Sequence, residues 1–255
     1  MNWNLIYSLW NSATVYDEKH CMVKHKARYP DIKKMRVHEI DTDFMLTYMR
    51  GDTLVINGRG TDGTNLKKWV KAWRANFKIN PDINGYAEGF NIFGDFVMKQ
   101  IAKYYDVKSV EKVEMHGHSR AGSGIQNAGL KIADKYRVPV HITGWAPPPV
   151  GNYKIADDYA KLHGEGLIYI KLIGNPGDPV ATLFRHISNK EKNGIDLVPI
   201  TWLPPDTKAQ KLFKWLPFLV NEHSPKEYLD GLVKWFQPND VSLNAIKEIK
   251  KDFVN

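Results

Sequence analysis

Val113-Glu114-Met115-His116-Gly117-His118-Ser119-Arg120-Ala121-Gly122 is the stretch that decides the fold. It reads as a short strand, a sharp turn of small residues, and the start of a helix. Ser119 stands at the apex, with glycine two positions before it and alanine two positions after. That is one small substitution away from the G-x-S-x-G nucleophile elbow. The chemistry explains the small residues. A strained turn that projects a hydroxyl at the carboxyl end of a sheet leaves no room for side chains where strand and helix close on each other. The following helix aims its positive end at the site, and the amide of Arg120 is placed to donate to a developing oxyanion. A glycine-rich strand-to-helix turn without catalysis has the same local pattern, so the rest of the chain must decide.

Outward from the elbow, strand and helix alternate. Asp43 to Met49 and Thr53 to Asn57 are apolar and β-rich, and Arg50-Gly51-Asp52 between them reads as a hairpin turn. Residues 65–77 are helix-like. Glu88 to Tyr105 carries Phe90, Phe93, Val97, Ile101 and Tyr104 at helical spacing. A strand is predicted over Val110 to Met115 and a helix over Arg120 to Tyr136. A strand follows over Val138 to Trp145, a helix over Tyr153 to Leu162, and an apolar strand over Leu167 to Ile173. The last quarter holds proline clusters, the run Leu212 to Phe218, a helix from Pro225 to Phe236 and a lysine-rich tail from Leu243 to Asp252. The alternation predicts an α/β fold, a mostly parallel central sheet with helices on both faces. Residues 1–255 are read as a single domain of the α/β-hydrolase kind, with lid or cap elements within 62–87 and 183–222.

A serine needs a base to take its proton, and the base needs an orienting acid. In that fold the triad runs serine, acid, histidine along the chain. Asp178, in Gly174-Asn175-Pro176-Gly177-Asp178-Pro179-Val180, follows a strand at the sheet edge where such folds place functional groups. An ordinary turn aspartate between glycine and proline would look the same. Of the later histidines, His186 lies only a few residues beyond Asp178. His223, in Asn221-Glu222-His223-Ser224-Pro225, stands before a terminal helix and suits the role of base better. Gly58-Arg59-Gly60-Thr61-Asp62-Gly63 follows the strand ending at Asn57. Its small residues allow close backbone approach, and Thr61 can offer an amide and a hydroxyl to an oxyanion. The phosphate-binding pattern G-x-x-x-x-G-K-[ST] is absent.

These blocks, in this order, resemble the class 3 (fungal-type) lipase family. Arg59-Gly60-Thr61, with Trp69 after it, is similar to the family's oxyanion block. Glu88-Gly89-Phe90 resembles its His-x-Gly-Phe helix start, and Gly117 to Gly122 its Gly-His-Ser-Leu-Gly-Gly elbow. Thr143-Gly144-Trp145-Ala146-Pro147 with Val150-Gly151-Asn152 resembles Thr-Phe-Gly-x-Pro-x-x-Gly-Asn. Asp178-Pro179-Val180 and His223-Ser224-Pro225, with Tyr228 beyond, match the acid and histidine blocks. The resemblance covers about residues 53 to 230. It implies a serine esterase or lipase with Ser119, Asp178 and His223 as the triad, Thr61 and Arg120 at the oxyanion, and no cofactor. It departs from the family where Arg120 replaces leucine, Ala121 replaces glycine and Gly58 stands for phenylalanine. Arg120 is expected to place a cation near the site mouth and to favour an anionic or polar ester.

Composition bounds the alternatives. The 255 residues suffice for one large domain with a sizeable core, and one cysteine, Cys21, rules out an intrachain disulfide. No basic n-region followed by an apolar run opens the chain, and no stretch approaches a membrane span, so a cytoplasmic location is the expectation. The net charge of +8 favours anionic partners, a lipid surface among them. Lysine pairs without a nucleic-acid motif give no reason to expect nucleic acid binding. His116 and His118 with His20 and His25 lack a metal-site frame, so no metal is expected. Trp69, Trp73 and Phe77, and the run from Leu212 to Val220, are core packing or an interfacial cover. Two other readings stay open: a silent hydrolase-fold binding protein and a basic nucleic-acid binder.

Overall fold

A computed structural model describes residues 3–41, 43–60, 87–151, 154–178, 180–181, 196–203, 225–236, 246–247 and 249–252. Its centre is a seven-stranded sheet: β1 (Lys33–Ile40), β2 (Asp43–Arg50), β3 (Thr53–Arg59), β4 (Lys112–His118), β5 (Val140–Trp145), β6 (Ile168–Gly174) and β7 (Ile200–Trp202). The strands lie side by side in chain order. The first three are antiparallel, and β3 to β7 run parallel. The expected mostly parallel sheet is therefore present. The β2–β3 turn closes with Arg50 opposite Thr53, and Gly51 there takes a positive φ of 56° that suits glycine.

The helices are α1 (Trp3–Thr14), α2 (Cys21–Arg28), α3 (Glu88–Tyr104), α4 (Arg120–Tyr136), α5 (Lys154–Gly164) and α6 (Pro225–Phe236). Parallel strands in chain order, joined by right-handed crossovers, force every crossover helix onto one face. Accordingly α3, α4 and α5 share one core with alternate strand residues. Phe90, Phe93, Val97, Ile125, Ile132 and Ile155 pack on Leu54, Ile56, Val113, Met115, Val140 and Ile142. The opposite face would be left open, and the two ends of the described chain cover it. Leu5, Ile6, Leu9 and Trp10 of α1 meet Tyr228, Leu229 and Leu232 of α6 over Trp145 and Ile173. Beside them Val15, Cys21 and Ile32 cover Phe44, Leu46, Tyr48 and Val55.

Sequence patterning does not single out α1, α2, β1 or β7. The elbow strand, expected over Val110 to Met115, begins two residues later and ends three residues later, at His118. A single 3-10 turn over Val107–Ser109 leads in through Val110 and Glu111, and β4 runs on to His118 because its register with β5 continues to Trp145. β5 starts at Val140, after Pro139, which has no amide to give to the ladder; the Pro139 carbonyl still accepts from Val113 at 2.8 Å. Among the described residues no helix is long and apolar enough to cross a membrane.

Candidate active site

Ser119 sits between the end of β4 and the start of α4 with φ 57° and ψ −132°. A side-chain-bearing residue adopts such a backbone at a cost of about 1–3 kcal/mol, and only when its surroundings over-determine it. Here they do. The Ser119 amide donates to the Trp145 carbonyl of β5 at 2.8 Å, and its carbonyl accepts from the Gly122 amide at 2.8 Å. A methyl group added at Gly117 would stand 2.7 Å from the Ala121 carbonyl oxygen, and one at Gly58 only 3.0 Å from Ala121 Cβ. The elbow therefore requires glycine at 117 and tolerates alanine at 121. Ser123, one turn into the helix, is buried and donates its hydroxyl to the Pro148 carbonyl. The elbow serine has no such fixed task in the helix.

The loop after β3 closes over this turn. A methyl group at Gly60 would overlap the Tyr16 hydroxyl, and would stand 2.7 Å from the His118 carbonyl oxygen and 2.8 Å from Ser119 Cβ. Only a bare α-carbon brings the Gly60 backbone this close to the serine. The preceding residue, Arg59, is buried, pairs with Glu18 and lies over the Phe44 ring.

Asp178 is fully buried at the same carboxyl edge of the sheet, in the turn after β6. Its Oδ1 accepts from the Val180 amide at 2.7 Å and the Ala181 amide at 3.4 Å. Its Oδ2 accepts from the Tyr228 hydroxyl of α6 at 2.7 Å. The Tyr228 oxygen in turn accepts from the Asn175 amide at 3.0 Å. A carboxylate held by several donors keeps one orientation. The Tyr228 ring meets His118 edge-on at 6.0 Å, and His118 Nδ1 lies 2.9 Å from the Tyr16 hydroxyl. His118, the neighbour of Ser119, thus stands between the tyrosine that holds Asp178 and the tyrosine beside Gly60.

Arg120 corrects an expectation. Its guanidinium does not stand at a site mouth. It is buried, pairs with Asp43 at the start of β2, and donates to the Gly89 carbonyl in the first turn of α3 at 3.1 Å. Burial raises the Asp43 carboxyl above the usual carboxylate range, against the downward pull of the Arg120 charge. The side chain ties the elbow to β2 and α3, and gives no ground for selecting anionic esters. Its backbone amide keeps the place at the helix start that the elbow reading assigns it.

The remaining predicted positions, Thr61 and His223, lie outside the described residues, as do His186, Trp69, Trp73, Phe77, the run from Leu212 to Val220 and residues 62–86, 183–195 and 204–222 of the expected lid segments; the described part of the second segment is no lid, since Ile200–Trp202 is β7 of the central sheet. The described histidines go to separate tasks. His116 Nδ1 lies 2.9 Å from Ser8 Oγ, His25 Nε2 2.8 Å from Thr14 Oγ1, and His20 Nδ1 2.9 Å from Asp17. Among the described residues no group of three or more His, Cys, Asp or Glu converges on one point. No local pattern in the sequence marks Tyr16. Tyr228 belongs in the sequence only to the histidine block, and nothing local there names Asp178 as its partner.

No protein-family profile matches the chain, and no curated protein matches it by sequence. Solved structures do match it. The lipase of Rhizomucor miehei in its propeptide complex aligns over 78% of this chain and 68% of its own, at 18% identity and a TM-score of 0.53. Lipase II from Rhizopus niveus aligns over 80% and 82%, at 15% identity and a TM-score of 0.54. A triacylglycerol lipase whose catalytic centre is formed by a serine protease triad aligns over 80% and 81%, at 16% identity and a TM-score of 0.52. The fold is that of the lipase α/β-hydrolases. At these identities the likeness is one of fold.

Proposed function

We propose that this protein is a serine hydrolase of carboxylic esters, with lipid esters as its substrate class. One observation carries the reading. Ser119 is held at a positive φ between strand and helix, with the Gly60 backbone packed against its Cβ, on the sheet edge that also buries Asp178. A helix start without this purpose has no need of such a strained serine. The lipase-like fold and the ordered sequence blocks support the same reading.

In this reading Ser119 Oγ attacks the ester carbonyl carbon as its proton passes to His223. The carbonyl π electrons move onto oxygen, and the amides of Arg120 and Thr61, with the Thr61 hydroxyl, donate to that oxyanion. The oxyanion collapses, the ester C–O bond breaks, and His223 returns the proton to the departing alcohol. Water then repeats the sequence on the acyl-enzyme, releasing the acid and restoring Ser119. Asp178 orients His223 and stabilises its charged form. None of these steps draws on a cofactor. Elements within 62–86, 183–195 and 204–222 are proposed to cover the acyl site, since Ala87 belongs to the core and Ile200–Trp202 to the central sheet, and the net charge of +8 is proposed to gather the protein at anionic lipid surfaces.

The test is labelling with an alkyl fluorophosphonate, followed by turnover of p-nitrophenyl esters of increasing chain length. Labelling at Ser119, lost together with turnover in a folded Ser119→Ala variant, is the expected result. A folded wild-type protein that neither labels nor turns over would make this a hydrolase-fold binding protein instead.

A further inference from the structure

We propose that Tyr16 is a further catalytic residue, its phenol donating a hydrogen bond to the carbonyl oxygen of the bound ester as negative charge develops there. The inference rests on the serine-hydrolase reading above.

Tyr16 follows α1 by two residues, in a turn where its amide donates to the Ala13 carbonyl at 3.1 Å. Nothing in local sequence connects it with the elbow, yet two contacts bring it there. One is the hydroxyl itself. A single point beside the Gly60 α-carbon touches the Tyr16 hydroxyl, the His118 carbonyl and Ser119 Cβ at once. The phenolic oxygen therefore lies at the junction of the nucleophile and the loop that leads into Thr61. The other is the ion pair of Glu18, two residues on, with the buried Arg59 that precedes Gly60. Turn and loop are pinned to each other at Arg59 and at Gly60. Tyr16 is only partly buried.

His118 supplies the orientation. Its Nδ1 lies 2.9 Å from the Tyr16 oxygen, and the rings meet edge-on with centroids 5.8 Å apart. In the proposed arrangement Nδ1–H donates to the phenolic oxygen, and the phenol gives its own hydrogen to the ester carbonyl oxygen. A phenol that accepts a hydrogen bond becomes a stronger donor, because the two bonds polarise the same oxygen. No proton leaves Tyr16 in the cycle; the bond strengthens as the carbonyl oxygen gains charge and weakens as the acyl-enzyme forms.

The experiment compares wild type with Tyr16→Phe on p-nitrophenyl butyrate, together with inhibition by an alkyl trifluoromethyl ketone, which adds to the serine as an oxyanion. Removing one oxyanion donor costs about 10²–10³-fold in kcat, so Tyr16→Phe should lose kcat on that order with KM nearly unchanged. The ketone should weaken by a similar factor while Tm holds. As a second probe, 3,5-difluorotyrosine at position 16 keeps the ring and its packing but ionises at lower pH. Its alkaline limb of kcat should move to lower pH with it, because a phenolate has no hydrogen to donate. Wild-type kcat and ketone affinity in Tyr16→Phe, a loss confined to Tm or KM, or an unmoved alkaline limb would each overturn the proposal. A wild-type protein inert to fluorophosphonate and ester would overturn the hydrolase reading itself, and this proposal with it.

Discussion

Tyr228 and Asp178 are fifty residues apart in the chain and share a buried hydrogen bond of 2.7 Å. The same hydroxyl accepts from the Asn175 amide at 3.0 Å, so one phenol fixes both the carboxylate and the turn that carries it. Tyr228→Phe removes a donor from Asp178 and an acceptor from Asn175 inside a water-poor region. Leaving buried polar groups without partners costs about 1–3 kcal/mol each. The variant should unfold at a lower urea concentration and hydrolyse esters more slowly. It should still label with fluorophosphonate, since Ser119 keeps its elbow. Unchanged stability and unchanged turnover would show that the hydroxyl holds nothing.

Gly60 is required by contact. A methyl group there meets the Tyr16 hydroxyl, the His118 carbonyl and Ser119 Cβ, and two of those three belong to the strained elbow. Gly60→Ala should push the loop away from the serine. The expected outcome is a fall in kcat of at least tenfold with a modest loss of Tm, because a small misplacement of a donor loop is costly to catalysis. Full activity in this variant would mean that the loop plays no part in the chemistry.

Asp43 and Arg120 form a buried pair with little access to water. Breaking such a pair leaves an uncompensated charge and costs about 3–5 kcal/mol, whereas replacing both members with apolar side chains is often close to neutral. Asp43→Asn should therefore destabilise strongly in urea denaturation. The double variant Asp43→Leu with Arg120→Leu should recover most of the loss. A double variant as unstable as the single would place the pair's value in its geometry alone.

Acid sensitivity follows from two histidines, the partly buried His116 of β4 beneath α1 and the buried His25 of α2. Burial lowers His116 to about 4, with Arg50 adding to the effect and Glu114 opposing it; burial, helped by His116, lowers His25 to about 3. The unfolded chain titrates its histidines near their ordinary value of about 6.5. Below that pH the unfolded state binds protons that the folded state refuses, so the contribution is complete above about pH 6.5 and declines as pH falls towards 4. Tm measured from pH 7.5 to 4.5 should drop, and His116→Gln should flatten the slope in that window. Parallel profiles for the two proteins would remove His116 from the account.

The sequence by itself determined the β–α alternation, the elbow and the positions of its glycines. Those features are local: strand and helix periods involve residues a few positions apart, and a strained turn is written in the small residues beside it. The α4 boundaries, Arg120 to Tyr136, were readable for that reason. Asp178 was legible as a turn residue behind a strand, but the donors that hold it were not, since Tyr228 comes from another element. Only the tertiary structure decided what covers the second face of the sheet. Chain-order strands send every crossover helix to the first face, and nothing local tells α1 that it must close the other. The fate of Arg120 was likewise beyond local reading. Taken alone it is a cation next to the elbow serine. Asp43, seventy-seven residues away, turns it inward and makes it a strut, because a charge goes where its partner and the surrounding water place it.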